Sequence, residues 1–365
     1  MKVLGLCSHP VEAAATRYRL VQYVEPLAER GINLTVSPFL SRQQFGSLYQ
    51  GEKFLQKAFG MWRPFLHRLA ESFSIGDFDL LFVQREAMLF GPALFENLYR
   101  IIGKLPLILD LDDATYIRYV SPIFGKIGSF FKFFGKIDNL IQKADAVVCG
   151  NSFIADYVEK KGAKAVIIPT VVDTNKFYPV EKNNNPPVIG WIGTHSTFHF
   201  LESLFPILQS LATKHDFILK IIGAGRAKIE LDGVRIENAK WSLEREIADF
   251  QSLDIGLYPL SASETMSHEW ILGKSGFKAI QYMAVGVPFV MMPIGVCAEL
   301  GEEGKTHFNA ESKDEWYNAL HKLLSQARLR REMGASGRKH SLEYYTVPVQ
   351  ADILAQVFRQ VLQKD

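Results

Sequence analysis

Short apolar runs rich in β-branched residues alternate with helical stretches along the whole chain. The first half contains KVLGLC, NLTVSPF, DLLFVQ, LPLILDL, AVVCG and AVIIPTVV, and the second half continues the pattern with PVIGWIG, ILKIIGAG, VRIENA, DIGLYPL and PFVMMP. Apolar strands separated by helices are typical of a parallel sheet that is covered on both faces. The sequence therefore predicts an α/β protein with two similar halves.

A polar segment with prolines, YPVEKNNNPP at 178–187, separates these halves. Its composition suits an exposed linker and cannot support a core. A chain of 365 residues, 48% of them hydrophobic, is long enough for two domains. We expect a first domain at 1–180, a second at 181–345, and a C-terminal amphipathic helix at 346–365 that packs back toward the first domain.

Charge and cysteine content narrow the class of protein. The formal net charge is +2, which gives the whole molecule no strong attraction to nucleic acid. The three cysteines are few, odd in number and lie in or beside apolar runs, as expected for reduced thiols in the cytoplasm. The sequence contains no signal peptide and no apolar run of the roughly 18–20 residues that cross a bilayer. We expect a cytoplasmic protein, soluble or peripheral on the inner face of the cytoplasmic membrane.

The stretch GKSGFKAIQYMAVGVP, 273–288, carries two lysines beside an apolar run. Lys274 and Lys278 are four residues apart and Gln281 follows three later, so a helix that begins near Ser275 places all three near one face at its N-terminal end. Two ammonium groups and a helix N-terminus suit a pyrophosphate. The alternative is a pair of solvated surface lysines.

Two glycine-containing turns follow strands in the second half. VIGWIG leads into THST, so Gly193 and Thr194 offer backbone N–H groups at the carboxyl edge of a sheet, and IIGAG, with Gly223, repeats the arrangement after the next strand. Such turns suit a phosphate, but they also occur as ordinary strand-to-helix connections.

Three segments together resemble the bacterial glycosyltransferases of family 4. They are GKSGFKAIQYMAVGVPFVMMPIGV, PVIGWIGTHSTFHFLESL and ATRYRLVQYVEPLAERGINLTVSPFL, and the resemblance covers nearly the whole chain. It implies a retaining enzyme with the GT-B fold, two Rossmann-like doubly wound parallel-sheet domains facing a central cleft. It also implies a nucleoside-diphosphate sugar as donor substrate, with no cofactor and no metal.

The resemblance assigns roles to the lysine stretch. Lys278 would bind phosphate and stabilise the leaving group, Lys274 would assist, and Gln281 would take the place of a glutamate that contacts the ribose. The IENAKW loop would flank the base. The implied donor-binding residues are Gly193, Thr194, Gly223, Lys274, Ser275, Gly276, Phe277, Lys278 and Gln281.

The sequence departs from the family pattern at two acids and one arginine. The signature of two glutamates separated by seven residues is replaced by Gly273 and Gln281, and a glutamine bonds ribose hydroxyls without charge assistance. His195 or Thr197 stands where many relatives carry an arginine after the GWIG strand. Phosphate binding is therefore expected to depend on the lysines.

Acidic residues end a strand in the first half. LILDLDDATY places Asp110, Asp112 and Asp113 at the carboxyl end of a parallel strand. Asp112 and Asp113 are candidate catalytic residues that contact the donor sugar or the acceptor hydroxyl. The alternatives are a helix cap with solvated turn acids, or a metal dyad, which the resemblance disfavours.

Basic residues near two other strand ends are candidates for acceptor binding. Arg17, Tyr18 and Arg19 follow the first strand, and FVQREA places Arg85 and Glu86 at another strand end, whereas we interpret His9 as a loop residue. The predicted acceptor-binding residues are Arg17, Arg19, Asp110 and Arg85.

Two aromatic stretches interleaved with basic residues predict contact with an anionic membrane. They are KFLQKAFGMWRPFLHRL, 53–69, and IFGKIGSFFKFFGKI, 123–137. Both are typical of helices in a membrane interface, although core-packing helices with basic outer faces have the same composition.

The sequence thus favours a retaining transferase that acts on a glycan or lipid-linked acceptor in cell-envelope polysaccharide assembly. The loss of both signature acids leaves a non-catalytic nucleotide-sugar binding protein as an alternative. A sugar-nucleotide epimerase of the same architecture is a third hypothesis.

Overall fold

The computed structural model describes residues 1–48, 60–118, 131–261 and 267–363. Contacts divide the chain into two compact units. The first comprises Met1–Thr170, Gly273–Ser275 and Val347–Asp365, and the second comprises Val171–Leu272 and Gly276–Thr346. The break at Thr170 precedes the boundary predicted after residue 180, and the C-terminal helix groups with the first unit.

The first unit is built on a six-stranded parallel sheet in the order β2-β1-β3-β4-β5-β6. Strands β3, β4 and β5 are buried along their full length, which is why they read as continuous apolar runs in the sequence. The strands are β1 (Lys2–Cys7), β2 (Asn33–Pro38), β3 (Leu80–Gln84), β4 (Leu107–Leu111), β5 (Ala146–Cys149) and β6 (Ala165–Ile167).

Helices cover both faces of this sheet, as the alternating pattern predicts. They are α1 (Ala14–Arg19), α2 (Val24–Ala28), α3 (Arg42–Leu48), α4 (Trp62–Glu71), α5 (Leu94–Gly103), α6 (Gly135–Lys143) and α7 (Ser152–Lys160), with 3₁₀ turns at Val21–Tyr23 and Ser72–Asp77. A further helix spans Val347–Leu362, in the segment for which a C-terminal amphipathic helix is expected. It packs against α2 and the sheet, where Phe358 and Phe82 have ring centroids 5.1 Å apart.

The second unit contains another six-stranded parallel sheet, in the order β12-β11-β10-β7-β8-β9. With β7 numbered as strand 1, the order read from the β9 edge is the doubly wound 3-2-1-4-5-6. The direction in which successive strands are added to the sheet reverses between β7 and β10. The strands are β7 (Val188–Ile192), β8 (Ile218–Ile222), β9 (Arg235–Ala239), β10 (Ile255–Tyr258), β11 (Phe289–Met291) and β12 (Phe308–Asn309). The predicted pair of doubly wound parallel sheets is therefore confirmed.

The helices of the second unit complete its layers. They are α8 (Phe198–Glu202), α9 (Phe205–Ala212), α10 (Glu246–Gln251), α11 (His268–Leu272), α12 (Phe277–Ala284), α13 (Lys313–Ser325) and α14 (Ala327–Tyr344), with a 3₁₀ turn at Gly295–Ala298. Helix α13 begins with a capping box, in which Ser312 Oγ accepts from the Glu315 amide and the Glu315 carboxylate accepts from the Ser312 amide.

The two aromatic stretches lie only partly within the described residues, because 53–59 and 123–130 fall outside them. In the described part of the second stretch, Phe133 has a left-handed φ of 52° and α6 begins at Gly135. Lys136 is buried, with its ammonium 2.6 Å from Glu86 Oε2 and donating to Met88 O at 2.8 Å. Lys136, a lysine of the predicted membrane-contacting stretch 123–137, therefore does not meet lipid, because its charge is neutralised inside the unit. In the parts of the chain that the structure describes, no helix is long and apolar enough to cross a membrane.

Candidate functional site

Arg85 and two aspartates form a charged network at the carboxyl edge of the first sheet. Arg85 directly follows β3, and its Nε donates to Asp112 Oδ1 at 2.5 Å. Its Nη2 donates to Asp112 Oδ2 at 2.7 Å and to Asp113 Oδ2 at 2.6 Å. Gln84 Nε2 adds a donor to Asp112 Oδ1 at 3.1 Å. The sequence separates these residues, and the parallel pairing of β3 with β4 brings them together.

The network has a buried end and an accessible end. Asp112 is 7% exposed, whereas Arg85 and Asp113 are 25% and 24% exposed. Burial opposes the charge on Asp112, but Arg85 outweighs it and holds the pKa of that carboxyl below its usual range. Asp112 therefore orients Arg85 from within, and Arg85 and Asp113 are the groups that a ligand could reach.

Arg19 and Asp110 form a separate ion pair in the interior. Arg19 Nε donates to both carboxylate oxygens of Asp110, at 3.1 and 3.0 Å, and Arg19 Nη1 donates to Ile168 O at 2.7 Å. The two side chains are 2% and 0% exposed. The prediction that they contact an acceptor is wrong, because each is enclosed and paired with the other.

His9 lies in the loop that follows β1, and Arg17 on α1 bonds to the same loop. Arg17 Nη1 donates to the carbonyls of Val11 and Glu12, both at 3.2 Å, so Arg17 holds the loop. The His9 ring is fixed by a 2.8 Å hydrogen bond between Nδ1 and Ser8 Oγ. Burial, together with the positive charges of Arg85 and Lys132, lowers the pKa of His9 to about 4. His9 is therefore a loop residue, as predicted, and is neutral at pH 7.

Lys274 groups with the first unit through its neighbours. Gly273 O accepts from the Ala114 amide at 3.3 Å, and Lys274 O accepts from Asn151 Nδ2 at 2.8 Å. Burial lowers the pKa of the Lys274 ammonium, an effect that the carboxylate of Asp113 partly offsets. Lys274 therefore lies in the electrostatic field of the acidic network.

Helix α12 begins later than predicted. Its N-cap is Gly276, with a left-handed φ of 63°, and the first helical residue is Phe277, so Ser275 and Lys274 precede the helix. A Cβ at position 276 would lie 2.4 Å from Leu300 Cδ1, so the close packing of this turn requires glycine. The prediction that Lys274 and Lys278 share one helical face is therefore wrong.

Tyr282 fixes α12 on the second sheet at the point where the winding reverses. Its hydroxyl oxygen lies 3.1 Å from Leu257 O on β10 and 3.3 Å from Gly190 O on β7. A Cβ at Gly256 would lie 2.7 Å from the tyrosine ring, so the glycine lets the ring lie directly on the strand. The helix N-terminus is thereby held at the reversal point, where α/β sheets bind ligands.

Lys278 and Gln281 lie on the first turns of α12. Lys278 Nζ is 3.4 Å from Gln281 Oε1 and 5.3 Å from the centroid of the Phe250 ring. Gln281 is 0% exposed, and its Nε2 has no hydrogen-bond partner among the residues that the structure describes. The contact of Gln281 with a ribose stays a prediction, and in this structure the side chain is buried beside Lys278.

The loops after β7 and β8 are in backbone contact. Gly223 has a φ of 82°, and a Cβ there would lie 2.2 Å from Gly193 O and 3.4 Å from Trp241 Cβ. The Thr194 amide donates to Thr197 Oγ1 at 3.1 Å, so this amide is already used within its own turn. Trp241, in the predicted base-flanking loop, thus lies beside the two glycines and is 36% exposed.

Three contributors were not found from the sequence. Gln84 supports Asp112, Phe250 faces the Lys278 ammonium, and Asn151 holds Lys274 O while capping α7 through the Ile154 amide at 2.9 Å. The CGNS turn that follows β5 is a recognisable helix-capping signal and could have identified Asn151.

Residues 186–326 match the family model described as glycosyl transferases group 1. Among solved structures, sucrose-phosphate synthase from Thermosynechococcus elongatus aligns over 100% of both chains with a TM-score of 0.69 and 13% identity. HepE from Anabaena in complex with UDP-glucose aligns over 99% of this chain and 100% of its own, with a TM-score of 0.70 and 14% identity. A glycosyltransferase from Rickettsia africae covers 100% of this chain and 99% of its own, with a TM-score of 0.70 and 13% identity. No curated protein matches the chain in sequence.

The fold is therefore the GT-B fold of glycosyltransferases, as predicted. The family match lies in the second unit, which carries α12 and both glycine loops, and it agrees with the glycosyltransferase resemblance read from the sequence. The match and the fold together support a glycosyltransferase. Membership of the retaining family 4 stays a prediction.

Proposed function

We propose that this protein is a retaining glycosyltransferase that moves a sugar from a nucleoside diphosphate to a glycan or lipid-linked acceptor. The reaction would serve cell-envelope polysaccharide assembly at the inner face of the cytoplasmic membrane. The observation that carries this proposal is the N-terminus of α12, which Tyr282 holds at the reversal point of the second sheet with Lys278 in its first turn.

The N-terminus of α12 suits a diphosphate for three reasons. Its N-cap is a glycine, so no side chain caps the first amides. The helix dipole is positive at this end, and Lys278 adds a full positive charge. Lys278 as a whole is half-buried, with its ammonium 3.4 Å from Gln281 Oε1, and this partial exposure supports contact with an anion.

The proposed position of the nucleoside is beside Trp241 and the glycine loops that follow β7 and β8. Gly193 and Gly223 allow close approach to the backbone, and Trp241 offers an aromatic surface beside them. HepE is described in complex with UDP-glucose, so uridine is the first base to test.

The proposed chemistry needs no protein nucleophile. The acceptor hydroxyl attacks the anomeric carbon on the face from which the diphosphate leaves, the new C–O bond forms as the C1–O bond to phosphate breaks, and the leaving phosphate takes the hydroxyl proton. Lys278 would stabilise the charge that develops on the phosphate. Arg85 and Asp113, the accessible groups of the acidic network, would bind a hydroxyl of the acceptor or donor sugar.

A non-catalytic nucleotide-sugar binding protein is the second candidate. Gly273 favours it, because the first acid of the family signature is absent and a Cβ there would lie 2.2 Å from Ala114 Cβ. No acid could be accommodated at this position without moving the backbone. Donor binding with neither transfer nor hydrolysis would support this second candidate.

A two-step assay tests the proposal. Thermal unfolding is first followed with nucleoside diphosphates and their sugars, since a ligand at about 100 times its Kd stabilises the folded state by about 2.7 kcal/mol. Each donor that binds is then incubated with saccharide and lipid-linked acceptors, and the anomeric configuration of the product is read by NMR. An inverted product contradicts retention, and a free sugar-nucleotide isomer without acceptor indicates the epimerase.

A further inference from the structure

Helix α4 exposes a continuous apolar stripe. Trp62, Leu66 and Leu69 on α4 and Phe73 in the 3₁₀ turn that follows are 60%, 43%, 41% and 90% exposed. Their spacing of four, three and four residues places them on one side of the helix. Soluble proteins rarely leave such a run of large side chains in water unless it binds something.

Helix α5 extends this apolar surface. Its Leu94, Ile101 and Ile102 are 44%, 75% and 53% exposed. The two helices are neighbours, because the Phe65 and Phe95 rings have centroids 5.1 Å apart and Tyr99 Oη donates to Glu71 Oε2 at 2.8 Å. The α4–α5 face is defined here as Trp62, Leu66, Leu69, Phe73, Leu94, Ile101 and Ile102.

The rim of the α4–α5 face is basic. Arg63, His67 and Lys104 are exposed and Arg100 is half-buried, while Asp77 is the exposed acid within 60–77 and 93–104. The other acids in these ranges are engaged inside the unit: Glu71 accepts from Arg68, and Glu96 accepts from the Ala87 amide at 2.8 Å. The face therefore combines apolar side chains with an excess of positive charge.

The opposite side of α4 reaches the edge of the sheet that carries the acidic network. Arg68 is fully buried and donates to Ser37 Oγ at 2.7 Å, to Ser37 O at 2.7 Å and to Cys7 O at 3.1 Å. These groups lie at the carboxyl ends of β1 and β2, the edge at which Arg85 follows β3. The exposed stripe is thus separated from that edge by one helix, about 10 Å across.

We propose that the α4–α5 face binds the surface of an anionic bilayer, with Trp62, Phe73 and Ile101 entering the headgroup boundary. An aromatic and aliphatic surface edged by arginine and lysine has the composition of interfacial membrane binders. A second copy is a poorer occupant, since two-fold pairing would bring the same basic rim against itself. The proposal deepens the proposed function, because it names the surface that brings the first sheet to a lipid-linked acceptor.

Vesicle co-sedimentation of the full chain tests this binding without donor or transfer, so its failure is distinct from failure of the proposed function. Vesicles of phosphatidylcholine with and without phosphatidylglycerol are compared for the wild type, a Trp62→Ser/Phe73→Ser variant and a control. The control, Ile167→Ser/Val349→Ser, removes two apolar side chains of the same unit that are 48% and 40% exposed. The wild type and the control should bind anionic vesicles, more weakly at high salt.

The Trp62→Ser/Phe73→Ser variant should bind about 100-fold more weakly, or about tenfold for each large side chain withdrawn from the boundary. Quenching of tryptophan fluorescence by brominated lipid gives a direct readout, which Trp62→Phe should remove while vesicle binding persists. Circular dichroism checks that each variant is folded.

Three results would overturn the proposal. They are a wild type that ignores anionic vesicles, a double variant that binds them as well as the wild type, and a wild-type dimer in light scattering that the double variant converts to monomer. The last result would assign the face to a second copy.

Discussion

Arg85 adopts a left-handed backbone conformation, with φ of 60°, and its guanidinium donates two hydrogen bonds to the Asp112 carboxylate, at 2.5 and 2.7 Å. A non-glycine residue pays a conformational cost at such a φ, and the paired hydrogen bonds to a buried carboxylate offset it. The strain and the ion pair occur in the same residue at the end of β3. This combination marks the edge of the first sheet as a site that is built to present Arg85.

Replacing Arg85 with methionine should lower the free energy of unfolding by about 3–5 kcal/mol at pH 7, because it leaves the buried Asp112 carboxylate without its ionic partner. Urea denaturation measures the loss. The control is Arg42→Met, which removes an arginine that forms an ion pair with Glu12 at 3.3 Å but is 78% exposed. Because exposed ion pairs contribute little, this variant should change the free energy of unfolding by less than about 1 kcal/mol. Equal losses for both variants would contradict the assigned role of Arg85.

Gly273→Ala should destabilise the first unit by about 1–3 kcal/mol, because the new Cβ would lie 2.2 Å from Ala114 Cβ. The second change Ala114→Gly removes the opposing methyl group and should recover part of the loss. A double-mutant cycle by urea denaturation measures this coupling. Additive effects would show that the two residues do not press on each other.

Lys278→Ala should weaken nucleoside diphosphate binding by about 1.5–3 kcal/mol and leave nucleoside binding nearly unchanged, since the lost interaction is with phosphate. Lys274→Ala should have a smaller effect on diphosphate, because Lys274 precedes α12 and lies near Asp113. Isothermal titration calorimetry with the nucleoside and with its diphosphate measures the two affinities separately for each variant. An equal loss for nucleoside and diphosphate would indicate a folding defect.

Stability should fall as the pH is lowered from about 6.5 to about 4, in part because of His9. Its folded pKa of about 4 lies below the unfolded value of about 6.5, so the unfolded state binds the proton first. The contribution is complete above the unfolded pKa and is lost toward the folded pKa. His307 has the same folded pKa of about 4, so His9→Asn should remove part of the slope. Urea denaturation of the wild type and of His9→Asn across this pH window measures the difference in slope. Identical slopes would contradict the contribution assigned to His9.

Periodicity was sufficient to predict two α/β halves with parallel sheets, whereas the GT-B fold was implied by the family resemblance. Buried strands such as LLFVQ and AVVC are apolar at every position because helices cover both faces of a parallel sheet, and this pattern depends only on local sequence. The C-terminal helix was equally predictable, since one apolar face persists over Val347–Leu362.

The candidate site was predictable only in part. The sequence predicts that its residues come from the ends of strands, because the carboxyl edge of a parallel sheet is fixed by topology. The partners of these residues were not predicted, since the interior pair of Arg19 with Asp110 depends on how α1 packs on the sheet. The start of α12 was also missed, because the left-handed Gly276 is imposed by its packing against Leu300.

The sequence by itself determined two α/β halves with parallel sheets, their strands and the strand ends at which charged residues gather, because strand and helix periods are local properties of the chain. Only the tertiary structure decided which of those charged side chains form ion pairs in the interior and which remain accessible at the surface. Lys136 pairs with Glu86 in the interior, Asp112 is committed to Arg85, and Trp62 and Phe73 are left in water. The physical reason is that desolvation and ion pairing depend on groups far apart in the chain, which meet only when the elements pack.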